Sequence, residues 1–299
     1  WRAELERGTG GESEGAGAQS FPLVGREREL ALLREQHEAV LAAEPPRAAV
    51  TWLVGPEGSG KWRLVTTFAE RVRRSAHPPL VLDARWNEND EGRPAGTALM
   101  LLNRWLSLPV GSAPSERDAR RLEELLGPAA ARPLLAALDP RAGGEIDRAI
   151  PGELARFLAE LARTRAVLVF LDDVHQAGAV TLGALSTLLE LLRAVRIQFV
   201  LALREDLPAS EPGLLAKLAL RLERGAAGPG PDTARLVLAP LDLAAVAELV
   251  ERLFDDSTPR VRLSEVLWKK SRGNPGFLTE ILRELEARGG LAAAEDGRH

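Results

Sequence analysis

The sequence predicts an α/β fold in which helices cover both faces of a parallel five-stranded sheet, followed by a small all-helical domain. Three observations support this prediction. Five apolar runs of strand length alternate with stretches of helical periodicity, the order that builds a parallel sheet. The first of these runs ends in a glycine-rich turn that leads directly into a helical pattern. After Pro240 the strand patterns stop and helical patterns continue.

Composition narrows the classes of protein to which the chain can belong. Its 299 residues are enough for one large domain or two smaller ones, and its net charge of -4 argues against a generally basic nucleic-acid-binding surface. Because there is no cysteine and only four scattered histidines, disulfides, thiolate metal sites and histidine metal clusters are not expected. No apolar stretch reaches the ~18 residues of a membrane span. The chain begins with Trp1 and no signal-peptide pattern follows, so we expect a cytoplasmic piece of a longer protein.

The first residues differ in character from those that follow. Residues 1–20 are rich in glycine, serine and glutamate and lack apolar periodicity, which predicts a flexible linker. A hydrophobic lead-in with a glycine turn, Leu23–Arg26, then opens the first helix. From here strands and helices alternate, and we predict an α/β domain over residues 21–240.

The rest of the chain is organised around the turn between the first strand and the next helix. The strand, Val50–Val54, is apolar or β-branched throughout, and the helical pattern begins near residue 60. The turn consists of Gly55, Pro56, Glu57, Gly58, Ser59, Gly60 and Lys61. Such glycines let backbone N–H groups point at an anion, while the helix start adds partial positive charge and the lysine reaches the outer phosphates. We interpret the turn as a phosphate-binding loop; the alternative is a glycine-rich turn with an incidental lysine.

One position departs from the pattern of a phosphate-binding loop. The residue after the lysine is normally Ser or Thr, whose hydroxyl binds Mg²⁺, whereas this chain has Trp62. An indole ring has no oxygen to offer a hard cation, and its bulk at the start of the helix is expected to occupy the space that a water would need. We therefore expect nucleotide binding with little or no Mg²⁺-dependent hydrolysis.

Two adjacent carboxylates, Asp172 and Asp173, follow the apolar run 166–171. A buried parallel strand delivers such acids to the carboxyl edge of the sheet, where ligands bind. In that position Asp172 would hold Mg²⁺ or its water, and Asp173 would polarise the attacking water. The alternative is an ordinary strand followed by an Asp-rich turn. His175, just beyond, is expected to be a partly exposed loop histidine.

The other elements before residue 240 follow the same alternation. Further strands are predicted at 80–84, 197–203 and 234–239. Helical patterns occupy 96–107, 116–137, 151–164 and 179–195, and polar or glycine-rich loops occupy 87–94 and 225–231. An arginine, Arg204, follows the strand at 197–203 and can sense a terminal phosphate electrostatically. The alternative for Arg204 is a surface ion pair with Glu205 or Asp206.

The last part of the sequence predicts a separate helical unit. Helices are expected at 241–254, 260–270 and 277–288, the last introduced by the turn Gly273-Asn274-Pro275. We predict a lid domain over residues 241–290 that moves on the sheet domain. Residues 291–299 are expected to be a tail leading to a further domain.

Together these motifs resemble the STAND class of AAA+-related P-loop ATPases, and most closely the bacterial modules fused to LuxR-type regulators, protein kinases or nucleotide cyclases. The resemblance runs from about Phe21 to Gly290. It rests on LVGREREL (23–30), GPEGSGK (55–61), LVFLDDVH (168–175), LALRED (201–206), RLVLAPL (235–241) and GNPGFLTEIL (273–282). It implies a three-layer P-loop NTPase with a helical lid, which binds ATP or ADP together with Mg²⁺; the missing hydroxyl at Trp62 puts the metal in question.

The resemblance also implies roles for individual residues. The turn formed by Val24, Gly25 and Arg26 looks like the family's contact on the adenine side of the nucleotide. Arg204 looks like its sensor arginine, which would act with Lys61 in catalysis.

In the lid, Asn274 and Pro275 look like the family motif that packs beside the nucleotide. Gly276 stands roughly where ordinary AAA+ proteins carry a second sensor arginine, and its absence suits a switch better than a fast motor. In such proteins ADP holds a closed, inactive monomer, and exchange for ATP permits self-oligomerisation and signalling. The other partners expected are domains of the same longer chain, without a membrane and without direct nucleic-acid binding.

The main functional prediction is therefore a nucleotide-dependent regulatory switch. One alternative is a pseudo-ATPase scaffold or interaction module that binds nucleotide structurally or not at all. Trp62 favours this alternative, while Lys61 and the two aspartates count against it. The other alternative is an origin-recognition-like DNA-binding ATPase, which calls for a winged helix and a basic surface, whereas this chain is acidic.

Overall fold

Five parallel strands form the sheet at the centre of a computed structural model, which describes residues 21–86, 96–108, 112–138, 150–204, 212–224, 232–254 and 259–287. Within these residues helices cover both faces of the sheet, and three more helices follow its last strand. The predicted fold class, an α/β sheet domain with a C-terminal helical segment, is thereby confirmed.

The strand order brings together segments that are distant in sequence. The described strands are β1 (Ala49–Val54), β2 (Leu80–Arg85), β3 (Val167–Asp172), β4 (Ile197–Leu203) and β5 (Asp232–Val237). Their order across the sheet is β2-β3-β4-β1-β5. Every residue of β1 and β3 is buried, which explains why these strands are mostly apolar rather than alternating. Because all strands run parallel, their carboxyl ends meet at one edge.

The helices before β5 pack on the sheet, and those after it pack on one another. The described helices are α1 (Glu27–Ala42), α2 (Lys61–Arg73), α3 (Gly96–Leu106), α4 (Glu116–Leu126), α5 (Pro128–Leu138), α6 (Ile150–Thr164), α7 (Ala179–Leu191), α8 (Pro212–Arg224), α9 (Leu243–Leu253), α10 (Arg260–Ser271) and α11 (Pro275–Ala287). None of the helices in these parts of the chain is long and apolar enough to cross a membrane.

Buried apolar side chains of the described residues form clusters on the two faces of the sheet. In β3, Val169 and Leu171 pack with the larger cluster beneath α3–α7, whereas Leu168 and Phe170 pack with the smaller cluster beneath α1 and α2. This alternation follows from the two-residue period of a strand. It also fixes the face on which the next residue of the strand, Asp172, projects, which is the face covered by α2.

A third cluster holds the last three helices together. It contains Leu241, Val246 and Leu282 of the helical segment, and it also takes in Phe21 and Val24 from the start of the described chain. The lead-in before α1 therefore packs with the helical segment. The domain boundaries drawn from the sequence stay a prediction.

Some boundaries differ from the prediction for clear physical reasons. The helix predicted at 116–137 is two helices, because Gly127 adopts a φ of 81° and Pro128 starts the second one. The helix predicted to reach residue 195 ends at Leu191, since a turn then leads into β4. The last strand begins at Asp232 rather than residue 234, because Asp232 already pairs with Ala49 of β1.

Four other predictions concern segments outside the described residues. They are the linker at 1–20, the loops at 87–94 and 225–231 and the tail at 291–299.

Candidate functional site

The predicted phosphate-binding loop is the turn between β1 and α2, at the carboxyl edge of the sheet. The amide of Gly55 donates a hydrogen bond to the carbonyl of Leu203, so the loop starts beside the end of β4. Lys61 is the first residue of α2, and its side chain is buried. Its Nζ donates to the carbonyl oxygens of Gly55 at 2.8 Å and Pro56 at 3.0 Å. The ammonium group therefore lies over the first residues of the loop.

The middle of the loop requires glycine. Gly58 and Gly60 have φ values of 72° and 87°, in the left-handed region that other residues rarely adopt. A side chain at Gly58 would also start 2.5 Å from Oδ1 of Asn274. The side chain of Ser59, between them, is buried against Gly55. The glycine spacing in the sequence is thus explained by both backbone conformation and space.

Trp62 follows Lys61 in α2, at the sequence position where the pattern has the residue with a metal-binding hydroxyl. Its ring packs against Phe170 with 5.2 Å between ring centroids, and 44% of the residue remains exposed. Phe170 precedes Asp172 by two residues in β3, so both project on the face covered by α2. The indole therefore extends along the face of β3 that carries Asp172.

Both predicted carboxylates are buried at the carboxyl end of β3. Oδ1 of Asp172 accepts a hydrogen bond of 3.0 Å from the amide of Asp173. Asp173 itself has a φ of 55°, a left-handed conformation that Asp tolerates better than most residues. Non-glycine residues held in this region cluster at functional sites, because the surrounding structure has to stabilise the strain.

An arginine that the sequence did not identify pairs with these acids. Arg85 ends β2 and lies opposite Asp172 in the parallel pairing of β2 with β3. Its Nε is 2.9 Å from Oδ2 of Asp173 and 3.9 Å from Oδ2 of Asp172. Finding Arg85 from the sequence would have required knowing that β2 is the neighbour of β3, and no local pattern gives that order.

Burial raises the pKa of Asp172 to about 6, and the neighbouring carboxylate of Asp173 acts in the same direction. The charges of Arg85 and Lys61 and the hydrogen bond from the Asp173 amide lower the pKa, but they offset only part of the rise. Lys61 and Asp172, from different elements, are thus close enough to interact electrostatically. The protein carries a carboxylate here that is costly to ionise.

The turn predicted to contact the adenine packs inside the protein. Nη2 of Arg26 donates to the carbonyl oxygens of Ala239 at 2.7 Å and of Ser59 at 3.4 Å. The buried guanidinium thereby ties the lead-in to the phosphate loop and to the segment after β5. Val24 belongs to the cluster of the helical segment. At Gly25, where φ is 61°, a Cβ would start 2.6 Å from the Cβ of Ala245 in α9.

Arg204 contacts the phosphate loop directly. Its Nη1 is 2.8 Å from Oε2 of Glu57. The sequence offered Glu205 or Asp206 as partners, and both lie outside the described residues. The contact with Glu57 was missed because it joins residues 147 positions apart, through the pairing of β1 with β4.

The helical segment reaches the same loop through the start of α11. Nδ2 of Asn274 donates to the carbonyl of Glu57 at 2.8 Å, and the amide of Gly276 donates to the carbonyl of Gly58 at 2.8 Å. Oδ1 of Asn274 accepts from the amide of Gly276, which caps the helix. Pro275 lies beside the far end of the loop, where a Cβ on Gly60 would be 3.9 Å from its Cγ.

The expectation of a partly exposed His175 is wrong. The residue is 3% exposed and lies in a single 3₁₀ turn, Val174–Gln176. The left-handed conformation of Asp173 turns the chain inward after β3, so the histidine is covered. Its Nδ1 lies 3.9 Å from Oδ1 of Asp173.

The residues present fit the phosphates of a nucleotide better than they fit Mg²⁺. The loop supplies left-handed glycines, a helix start and a buried ammonium group, all suited to an anion. A divalent metal would find the carboxylate of Asp172 but an indole at position 62, and the neighbouring Asp173 is already paired with Arg85. Among the described residues there is no group of three or more His, Asp or Glu side chains that could hold a metal ion.

Comparison with known proteins agrees with this geometry. Residues 22–203, more than half of the chain, match the family described as AAA ATPase domain. Many solved structures are similar, among them the three that follow, whereas no curated protein matches the sequence. The ORC2 protein of Aeropyrum pernix, in complexes with ADPNP and ADP, has 17% identity and a TM-score of 0.56 over 91% of this chain and 66% of that chain. The ORC1 protein of the same organism, in complex with DNA, has 18% identity and a TM-score of 0.53 over 90% of this chain and 62% of that chain.

The third similar structure is a STAND protein with a tetratricopeptide repeat sensor from Pyrococcus horikoshii. It has 15% identity and a TM-score of 0.43, over 88% of this chain and 31% of that chain. The chain thus spans less than two thirds of each of these proteins. The likeness to the two Aeropyrum proteins shows a shared fold.

The raised pKa of Asp172 predicts the pH dependence of stability. The unfolded chain loses this proton near its ordinary pKa of 3.8, whereas the folded protein keeps it up to about pH 6. The group therefore lowers the free energy of unfolding as pH rises between these values, and the loss persists above them. We expect Asp172→Asn to be more stable than the parent by about 1–3 kcal/mol at neutral pH, and the gain to vanish near pH 4.

Urea unfolding across this pH range, with a chelator present, measures the difference. Asp232→Asn is the matched control, because its side chain is half exposed and pairs with Arg47 at the surface. It should change stability by less than ~1 kcal/mol at any of these pH values. An Asp172→Asn protein that is no more stable than the parent at neutral pH would contradict the assigned cost.

Proposed function

The chain belongs to the AAA ATPase domain family, and from this premise we propose that it works as a nucleotide-dependent regulatory switch of the STAND type. In this proposal ATP or ADP binds with its phosphates on the loop between β1 and α2. The helical segment, α9–α11, is the lid that responds to the nucleotide. Signalling follows from that response, by contact with other domains of a longer chain or by self-oligomerisation.

The observation that carries the proposal is the pair of hydrogen bonds between the lid and the phosphate loop. They join Asn274 to Glu57 and Gly276 to Gly58, both at 2.8 Å, and their acceptors are main-chain carbonyls of the loop itself. A ligand shifts a conformational equilibrium only by interacting differently with the two states. Phosphates bind to the same short backbone segment, so a change in that backbone alters the geometry of both lid contacts.

Binding also changes the surroundings of Lys61. Its ammonium group donates to two loop carbonyls, and a phosphate would compete for the same donor. The carbonyls of Gly55 and Pro56 would then lose a charged donor, which favours a small rearrangement of the loop. The carbonyls of Gly55 and Pro56 lie within three residues of the carbonyls of Glu57 and Gly58, which hold the lid.

Hydrolysis is expected to be weak in this proposal. The metal would have one buried carboxylate, Asp172, and no hydroxyl from Trp62. Asp173, the residue proposed to polarise water, is paired with Arg85. A slow hydrolytic step suits a switch, because the state set by the nucleotide then persists.

A second candidate function is supported by the same observations. A module that binds nucleotide without turning it over, or holds its shape without nucleotide, would tolerate the ring contact of Trp62 and the pairing of Arg85. The buried Lys61 and the intact loop favour binding over its absence. The likeness to origin-recognition proteins is one of fold, and we propose no DNA binding on it.

The first test concerns binding itself. Removing the ammonium group in Lys61→Ala should weaken ADP and ATP binding by about ten- to a hundredfold, because a charge-assisted contact with the phosphates is lost. Isothermal titration calorimetry measures the affinity. The matched control is Lys217→Ala, since Lys217 is exposed on α8. Equal ADP affinity for Lys61→Ala and Lys217→Ala would rule out this phosphate site.

The second test concerns the switch. Hydrogen exchange of α9–α11 should differ between the ADP-bound, ADPNP-bound and nucleotide-free protein, while α4 and α5 should exchange equally in all three. In Asn274→Ala the difference should shrink, because one of the two loop contacts is removed. Identical exchange of α9–α11 in all three states would speak against a lid that responds to nucleotide.

The third test concerns hydrolysis. Trp62→Ser and Trp62→Thr supply the missing hydroxyl and remove the ring from Phe170, so phosphate release in the presence of Mg²⁺ should rise at least ~tenfold. Trp62→Phe is the matched control, because it keeps an aromatic ring and adds no oxygen. Turnover by the parent protein that already equals that of Trp62→Ser would show that this position does not limit hydrolysis.

A further inference from the structure

We propose that Glu57 makes the phosphate loop discriminate between nucleoside diphosphates and triphosphates, by holding Arg204 in an ion pair that a terminal phosphate has to displace. The inference rests on the proposed function, since it requires a nucleotide on this loop. It assigns a specificity-determining role to a residue that the phosphate-loop pattern leaves variable.

Glu57 lies at the end of the loop that the outermost phosphate occupies. In a phosphate-binding loop the lysine reaches the β- and γ-phosphates. The Nζ of Lys61 lies on the carbonyls of Gly55 and Pro56, the two residues immediately before Glu57. A carboxylate on the next residue is therefore close to the outer phosphates rather than to the α-phosphate or the base.

The two side chains of the ion pair differ in how much they are exposed to solvent. Arg204 follows β4 directly, and Leu203 before it pairs with Val54 and accepts a hydrogen bond from Gly55, so its backbone is fixed beside the loop. Its side chain is only 16% exposed, whereas that of Glu57 is 79% exposed. When the pair separates, the carboxylate is the group that can turn into solvent.

A triphosphate and a diphosphate therefore interact differently with the ion pair between Glu57 and Arg204. The additional phosphate brings negative charge toward the Glu57 carboxylate and competes with it for the guanidinium of Arg204. A diphosphate, which ends one phosphate earlier, leaves the pair in place. The side chain of Glu57 thus weakens triphosphate binding selectively, by the free energy of one partly exposed ion pair together with like-charge repulsion.

Glu57 also links the loss of its ion pair with Arg204 to the lid. The carbonyl of Glu57 accepts the hydrogen bond from Asn274, while its side chain holds Arg204. The ion pair is one of the two contacts that hold Glu57 in place, so its loss leaves the residue to which the lid is attached less constrained. The diphosphate keeps both contacts of Glu57, and the triphosphate removes one of them.

The experiment compares ADP and ADPNP affinities of the parent, Glu57→Gln and Glu123→Gln. Gln keeps the length of the side chain at position 57 but removes its charge. Glu123→Gln makes the same change in net charge at an exposed site on α4. Calorimetric titrations at physiological ionic strength should show ADPNP affinity rising about three- to tenfold in Glu57→Gln, with ADP affinity changing less than about twofold. Glu123→Gln should bind both nucleotides as the parent does.

The outcomes separate this inference from the proposed function. If Glu57→Gln leaves the ratio of the two affinities unchanged, or raises both equally, the role of Glu57 is overturned while nucleotide binding stands. If the folded parent binds neither nucleotide, the proposed function is overturned and this inference with it. A lower ADPNP affinity in Glu57→Gln would mean that Glu57 supports the triphosphate, which is the opposite of what we infer.

Discussion

The pairing of β1 with β4 is the constraint on which the site depends. It runs from Ala49 opposite Gln198 to Val54 opposite Leu203, and it continues into the loop through the hydrogen bond from Gly55 to Leu203. This register fixes where the loop begins relative to the end of β4. A slip of one residue would turn every side chain of β1 to the opposite face and separate the loop from Arg204. All of β1 and all but the last residue of β4 are buried, so such a slip would move packed side chains to the opposite face, which makes it costly.

The positively charged side chains of the site already have partners within the protein. Lys61, Arg204 and Arg85 each lie against oxygen atoms of the protein: loop carbonyls, the Glu57 carboxylate and the Asp173 carboxylate. Buried polar groups and charges are stable only when they are paired, and these contacts provide the pairing. When an anionic ligand binds, its oxygens replace protein oxygens as partners of these cations. The binding free energy is therefore a difference between two paired states.

The sequence predicted the sheet, the loop and the acids because each is encoded locally, by apolar runs, glycine spacing and adjacent carboxylates. It did not predict Arg85, Glu57 as a partner of Arg204, or the inward side chain of Arg26, because these contacts depend on strand order and on packing between distant segments. The burial of His175 was missed for a related reason, since it follows from the backbone conformation of a single residue, Asp173. The break at Gly127 was also missed, although the sequence signals it, because glycine followed by proline ends one helix and starts another.

The close approach of two glycines bears on how such a protein can change over evolutionary time. A Cβ at position 276 would start 2.8 Å from the Cα of Gly58, and a side chain at Gly58 would meet Asn274. No single replacement of Gly276 by a larger residue fits unless α11 or the loop moves, because the atom it would meet belongs to the backbone. A side chain at position 276 therefore has to be accompanied by changes in the loop or in α11, so substitutions at these two places are expected to occur together.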